Sequence, residues 1–198
     1  MPNSYSLTVK PVLTATALLA VLLIGGCGSS DNGNPDSRLT PEQATAPISG
    51  APPGLAAIRG EANQLLDGGR EAFEARLEEL RGTPVVVNKW ASWCGPCRFE
   101  FPWFQSLAEK RGGEIAFLGV NSNDSSGAAE QFLSELPLPY PSYSDPDLDI
   151  AENLGGPPLA MPATAFYDRS GKLAYTHIGQ YPDEAALIAE VDKYSSGG

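Results

Sequence analysis

A β-branched run, Val85-Val86-Val87, follows Pro84 and leads through Trp90 into Trp93-Cys94-Gly95-Pro96-Cys97. This junction constrains the chain more than any other feature. The run predicts a buried strand ending near Trp90. Beyond Cys97, the residues Phe99, Trp103 and Leu107 recur every four positions, which predicts a helix to about Lys110. Pro102 falls inside that helix, so a kink is expected. Two cysteines separated by two residues therefore sit where a strand hands over to a helix. Pro96 suits the first helical turn, where its missing N–H has no intrahelical partner to lose. The N–H groups and dipole of a helix N-terminus stabilise a thiolate. At Cys94 they lower the thiol pKa from about 8.5 towards ~7. Cys94 is thus expected to be the exposed nucleophile. Cys97, one turn deeper, is placed to attack a mixed disulfide.

Other readings of two cysteines are weaker. The chain holds three cysteines and one histidine. A structural zinc site needs a second ligand pair, which is missing. A c-type haem attachment site needs His after the second cysteine, where this chain has Arg98. A purely structural disulfide is the bland alternative, but closing so short a loop stabilises a fold little. The 13 basic and 24 acidic residues give a net charge of −11. A chain this acidic repels phosphate, and no basic patch larger than Lys110-Arg111 offsets it, so nucleic acid is not an expected partner.

Around this junction the periodicities alternate. Leu55–Leu66 and Arg70–Leu80 read as helices separated by Asp67-Gly68-Gly69. Ile115–Val120 reads as a second buried strand, Ala128–Leu136 as a helix, and the proline-rich Pro137–Asp147 as loop or extended chain. Leu148–Leu154 is a short helix stopped by Gly155-Gly156. Ala163–Tyr167 and Lys172–Ile178 are strands joined by Asp168-Arg169-Ser170-Gly171, a hairpin signal. Pro182–Tyr194 is an amphipathic helix. The order implies an α/β domain over residues 55–198, with a central mixed sheet and helices on both faces.

The N-terminus reads differently. Lys10 is the only charge before Asp31, and Val12–Ile24 is an unbroken stretch of apolar or small residues. That length suits a signal-peptide core and is short of the roughly 20 residues of a bilayer span. It ends in Ile24-Gly25-Gly26-Cys27, which resembles a bacterial lipobox. The resemblance implies cleavage after residue 26 and a lipid on the Cys27 thiol; an uncleaved anchor is the alternative. Roughly half of residues 28–54 are Gly, Pro or Ser, so 27–54 is read as a flexible tether.

Val85–Cys97 resembles the thioredoxin superfamily, and further motifs resemble its TlpA/ResA-like, membrane-tethered thiol-disulfide oxidoreductases. Asn88 stands where cytoplasmic thioredoxins carry a buried Asp, and Glu100-Phe101-Pro102 follows the second cysteine. A long segment separates Val120 from Ala163, Met161-Pro162-Ala163-Thr164 resembles the cis-proline loop, and Phe166–Lys172 resembles the hairpin after it. Lys89, in place of an aromatic, and the stretched Gly155-Gly156-Pro157-Pro158-Leu159 depart from the pattern.

The resemblance implies a thioredoxin fold with an N-terminal helical extension and an insertion after the second core strand. It implies that Cys94 and Cys97 form the redox-active disulfide and that Glu100 handles a proton. Glu100 lies one helical turn beyond Cys97, near Phe99, Phe101 and Trp103, where desolvation raises a carboxyl pKa. Trp93, Gly95, Pro96, Met161 and Pro162 would meet the substrate. A cis Met161–Pro162 bond would leave the Met161 backbone to pair with an extended substrate strand. Trp90 is expected in the core, Asn88 beneath the site, and His177 away from catalysis.

The implied protein is a monomer needing no cofactor or metal, anchored by lipid on the extracytoplasmic face of the cell membrane. It would reduce disulfides of proteins or peptides such as apocytochrome c, with electrons from a membrane thiol donor. The competing directions and classes are a dithiol oxidase forming disulfides in exported proteins, a thiol peroxidase, and a redox-inert peptide-binding module. The peroxidase reading lacks a Thr-x-x-Cys setting at Cys94.

Overall fold

The computed structural model describes residues 1–4 and 39–195. The expected signal-peptide core and Cys27 lie outside the described residues. Among the described residues, no helix is long and apolar enough to cross a membrane.

The elements run α1 (Pro41–Thr45), α2 (Pro53–Gly60), β1 (Leu65–Leu66), α3 (Gly69–Glu79), β2 (Val85–Trp90), α4 (Gly95–Arg111), β3 (Ala116–Ser122) and α5 (Ser126–Glu135). They continue with β4 (Ser142–Asp145), a 3-10 turn (Ala151–Asn153), β5 (Ala163–Tyr167), β6 (Leu173–Ile178) and α6 (Glu184–Ser195). One six-stranded sheet has the order β1-β4-β3-β2-β5-β6. β2 pairs parallel with β3 and antiparallel with β5. The expected α/β architecture with a mixed sheet is the one found.

β2 is buried along its whole length. Strands covered on both faces read as continuous apolar runs, which is why Val85-Val86-Val87 signalled it so clearly. Trp90 is fully buried and packs on Phe101 of α4 and Phe132 of α5, with centroid distances of 5.2 Å to each. Its indole N–H donates to Ser142 Oγ of β4 at 3.1 Å. Gly119 on β3 faces the same spot; a Cβ there would lie 2.1 Å from Ser142 Oγ, so the close approach of β3 to β4 requires glycine.

Three sequence expectations change, and the first is small: the short helix expected over Leu148–Leu154 is only a 3-10 turn at Ala151–Asn153. Leu65 and Leu66 are strand, not the end of a helix: they pair in parallel with Ser142 and Tyr143. α2 stops at Gly60, and Asn63 turns the chain with φ 61° while its Oδ1 accepts the Leu138 N–H at 2.9 Å. Ordered chain also begins before residue 55. Thr40 caps α1 through a reciprocal bond with Gln43, and Ala44 is fully buried. Arg59 of α2 donates to the Ala46 and Gln43 carbonyls at 2.6 and 3.1 Å. Residues 39–54 therefore pack on the domain rather than extend the tether. At Pro102, α4 continues to Arg111.

Topology fixes the position of the site. The C-terminal ends of the parallel strands β2 and β3 lie at one edge of the sheet. The antiparallel register Lys89↔Ala163 and Ala163↔Ile178 brings the start of β5 and the end of β6 to the same edge. Cys94, Pro162 and Gly179 are carried there by three different strands.

Candidate active site

Cys94 and Cys97 are joined as a disulfide, with their Cα atoms 5.3 Å apart. Cys94 is the N-cap of α4, in extended conformation, and its Sγ accepts the Cys97 N–H at 3.1 Å. The Cys97 N–H and the helix dipole thus act together on the Cys94 sulfur, the arrangement that favours a thiolate there. Pro96 occupies the first turn. The expected exposure of Cys94 needs correction: in the oxidised pair Cys94 is 4% exposed and Cys97 1%. The asymmetry lies instead in the surroundings. Trp93, Gly95 and Pro96 are exposed around Cys94, whereas Cys97 faces the core.

The turn before Cys94 is held by the end of β3. Asp124 accepts the Ser92 N–H at 2.6 Å and the Ser92 hydroxyl at 2.9 Å, and Asn121 donates to it at 3.0 Å. The Trp93 indole donates to the Asn123 carbonyl at 2.9 Å, leaving its ring 56% exposed. The sequence reading missed this support; an acidic residue four positions past the predicted strand end at Val120 was its only signal.

Glu100 is 1% exposed on the inner face of α4. Burial pushes its carboxyl up to about 7 from an ordinary 4.5, and a hydrogen bond from the Tyr181 N–H opposes that rise. This bond is 2.5 Å long, to Oε1. Phe99 contributes little to the burial, since it is 58% exposed and pairs with Trp103 along the outer face. A carboxyl titrating near neutral pH, one turn from Cys97, can take up or release a proton in the range where thiols exchange.

The Met161–Pro162 bond is cis. Pro162 is buried and Met161 half-buried, and the Pro162 carbonyl accepts the Gly179 N–H at 3.0 Å. The two departures from the family pattern prove to be one contact: buried Lys89 donates through Nζ to the Pro158 carbonyl at 2.9 Å. Burial lowers the ammonium pKa and Asp145 opposes the shift. Asn88 is buried as expected and donates to the Tyr140 hydroxyl at 3.3 Å. Among the described residues, no group of three or more His, Cys, Asp or Glu could hold a metal ion.

Comparison with known proteins adds to this geometry. The model of the redoxin family matches residues 64–194. The chain is 37% identical over 102 residues to the thiol:disulfide interchange protein DsbE of Pseudomonas fluorescens, covering 51% of this chain and 54% of that protein. It is 31% identical over 117 residues to the thiol-disulfide oxidoreductase ResA of Bacillus thuringiensis, covering 58% and 65%. The chain thus spans between half and two thirds of these curated relatives. A solved structure, the pneumococcal exposed lipoprotein thioredoxin Etrx1 from Streptococcus pneumoniae, superposes with a TM-score of 0.52 at 26% identity, covering 59% of this chain and 89% of that one. The fold is the thioredoxin fold.

Proposed function

The chain belongs to the redoxin family, and from that premise we propose that it is a thiol-disulfide oxidoreductase acting as a disulfide reductase through Cys94 and Cys97. The observation that carries the reading is the Cys94–Cys97 disulfide at the N-terminus of α4, with the Cys97 N–H on the Cys94 sulfur. In the reduced protein the Cys94 thiolate attacks one sulfur of a substrate disulfide. A mixed disulfide forms and one substrate thiolate leaves. Glu100 accepts the Cys97 thiol proton, and the Cys97 thiolate attacks the Cys94 sulfur. This step re-forms the intramolecular disulfide and releases the second substrate thiolate. The substrate gains two electrons and the pair loses two; an external thiol donor restores them.

Trp93, Gly95, Pro96, Met161 and Pro162 form the substrate-facing surface in this reading, supported by the exposure of the first three and the half-burial of Met161. The substrates are protein or peptide disulfides, with the disulfide of oxidised apocytochrome c one candidate class. The domain acts outside the cytoplasm, tethered to the membrane through Cys27. The Ile24-Gly25-Gly26-Cys27 sequence supports the tether, as does the lipoprotein name of the pneumococcal relative.

The deciding experiment equilibrates the purified domain in thiol buffers to obtain the Cys94–Cys97 reduction potential and assays insulin reduction alongside. A potential near about −270 mV with insulin turnover is expected of a reductase. A potential near about −120 mV would assign the opposite direction, disulfide formation. For the tether, Cys27→Ser is expected to release the protein from membranes with redox activity intact; full membrane retention without detectable lipid would favour an uncleaved anchor.

A further inference from the structure

The turn between β6 and α6 belongs to no strand or helix, yet it makes two contacts with the site. The Gly179 N–H meets the Pro162 carbonyl at 3.0 Å, and the Tyr181 N–H meets Glu100 Oε1 at 2.5 Å. The Gly179 bond continues the β5–β6 ladder by one residue, but no regular ladder holds the Tyr181 donor. The Tyr181 side chain supplies the anchor. It is 1% exposed, and its ring stacks on His177 with centroids 3.9 Å apart and planes 15° from parallel. Its hydroxyl donates to Glu190 Oε2 at 2.8 Å, while Glu190 Oε1 lies 3.2 Å from His177 Nδ1. Residues of β6, the turn and α6 thus close a three-membered grip behind the buried carboxyl.

We propose that Tyr181, gripped by His177 and Glu190, is a positioning residue of the thiol-exchange site, fixing the turn that holds Glu100 and the Pro162 carbonyl. The proposal rests on the proton-handling role given to Glu100. An N–H aimed at a carboxylate stabilises its charged form, whereas burial destabilises it. The grip therefore sets how basic Glu100 is. Several groups face this region. Glu100 comes from α4, Thr164 from β5, His177 from β6 and Glu190 from α6, with Tyr175 and Lys193 in electrostatic reach of Glu190. Burial above all, with the nearby Glu190 and Glu100 charges, raises the Tyr181 pKa against an opposing effect of Thr164, so that hydroxyl stays a donor.

Tyr181→Phe removes the hydroxyl while keeping the ring and every formal charge. In the full chain, the Glu100 carboxyl followed by carbon-13 NMR is expected to titrate about half a pH unit or more higher in this variant. Exchange with a disulfide peptide at pH 6 is expected to fall about threefold, while the rate at pH 9 stays within about twofold. His177→Ala removes the stack but leaves the hydroxyl bond. It is expected to shift Glu100 less, in the same direction, and it provides the test if Tyr181→Phe does not fold. An unchanged Glu100 titration overturns the grip. A shifted titration with an unchanged pH–rate profile upholds the grip and removes the proton role of Glu100.

Discussion

On the rim of the dithiol, Trp93 and Phe99 are 56% and 58% exposed; on its floor, Trp90 and Glu100 are 0% and 1% exposed. All four come from one short stretch: β2 buries Trp90, the turn before α4 exposes Trp93, and helical periodicity on α4 turns Phe99 out and Glu100 in. Residues of the inner face meet the sheet, and residues of the outer face meet water. The rim therefore leaves aromatic area open at the surface while adding little to the stability of the domain. The floor does the reverse. It packs Trp90 against Phe101 and Phe132 and holds a carboxyl far from its ordinary pKa. One motif thus divides its labour by burial, with sulfur chemistry at the boundary between the two regions.

The sharpest break of this comparison is at the boundary itself. Cys94→Ser is expected to lower insulin reduction by about 10³-fold or more, as loss of a nucleophile does. Cys97→Ala should instead accumulate a mixed disulfide on Cys94, visible by mass spectrometry. If Cys97 rather than Cys94 carries the substrate adduct, rim and floor exchange roles.

Next in size is the floor as structure. Trp90→Ala is expected to cost about 3–5 kcal/mol in urea unfolding, because it empties the space between α4 and α5. It also leaves Ser142 Oγ without its indole donor. Phe99→Ala, on the rim, should stay within about 0.5 kcal/mol. Similar losses at both positions would erase the distinction.

The floor as chemistry comes third. Glu100→Gln is expected to slow turnover on a disulfide peptide about tenfold or more, at or just under the usual range of general acid–base effects of ~10²–10⁴. It should also flatten a stability profile. The folded protein keeps the Glu100 proton up to about pH 7, whereas the unfolded chain releases it near 4.5. The stabilisation from this group is therefore complete at low pH and lost as pH rises through about 7. That loss is on the order of 2–3 kcal/mol between pH 4 and 8, and absent in Glu100→Gln. Parallel denaturation profiles for the two proteins would return Glu100 to an ordinary carboxylate.

The smallest effect is expected at Trp93. Trp93→Ala removes the rim aromatic and its bond to Asn123, so KM for a protein disulfide should rise roughly threefold to tenfold. The melting temperature should move by no more than about 2 °C. A fall in kcat at constant KM would place Trp93 in the chemistry rather than the docking surface.

Much of this was legible in the sequence because it depends on neighbours along the chain. The bounds of β2 follow from a β-branched run behind a proline. The placement of Cys94 as N-cap and Pro96 in the first turn follows from the order of four residues, and the cysteine spacing puts Cys97 one turn inside. Even the burial of Glu100 follows from a three-residue step along a helix.

What the tertiary structure alone decided are pairings between distant segments. Leu65-Leu66 continue a helical periodicity, yet they became strand because Ser142 and Tyr143 offered backbone partners that α2, turned at Asn63, could not use. Lys89 has no local reason to be buried; its partner is the Pro158 carbonyl, across the site. Glu100 was recognisable as a carboxyl near a thiol, but burial raises its pKa and the Tyr181 N–H, brought to it by a turn at the far end of the domain, opposes that rise. Helical and strand periods are properties of a few consecutive residues and so can be read along a chain. A hydrogen bond between distant residues exists only when the sheet register sets both ends at the same edge, and no local pattern encodes that register.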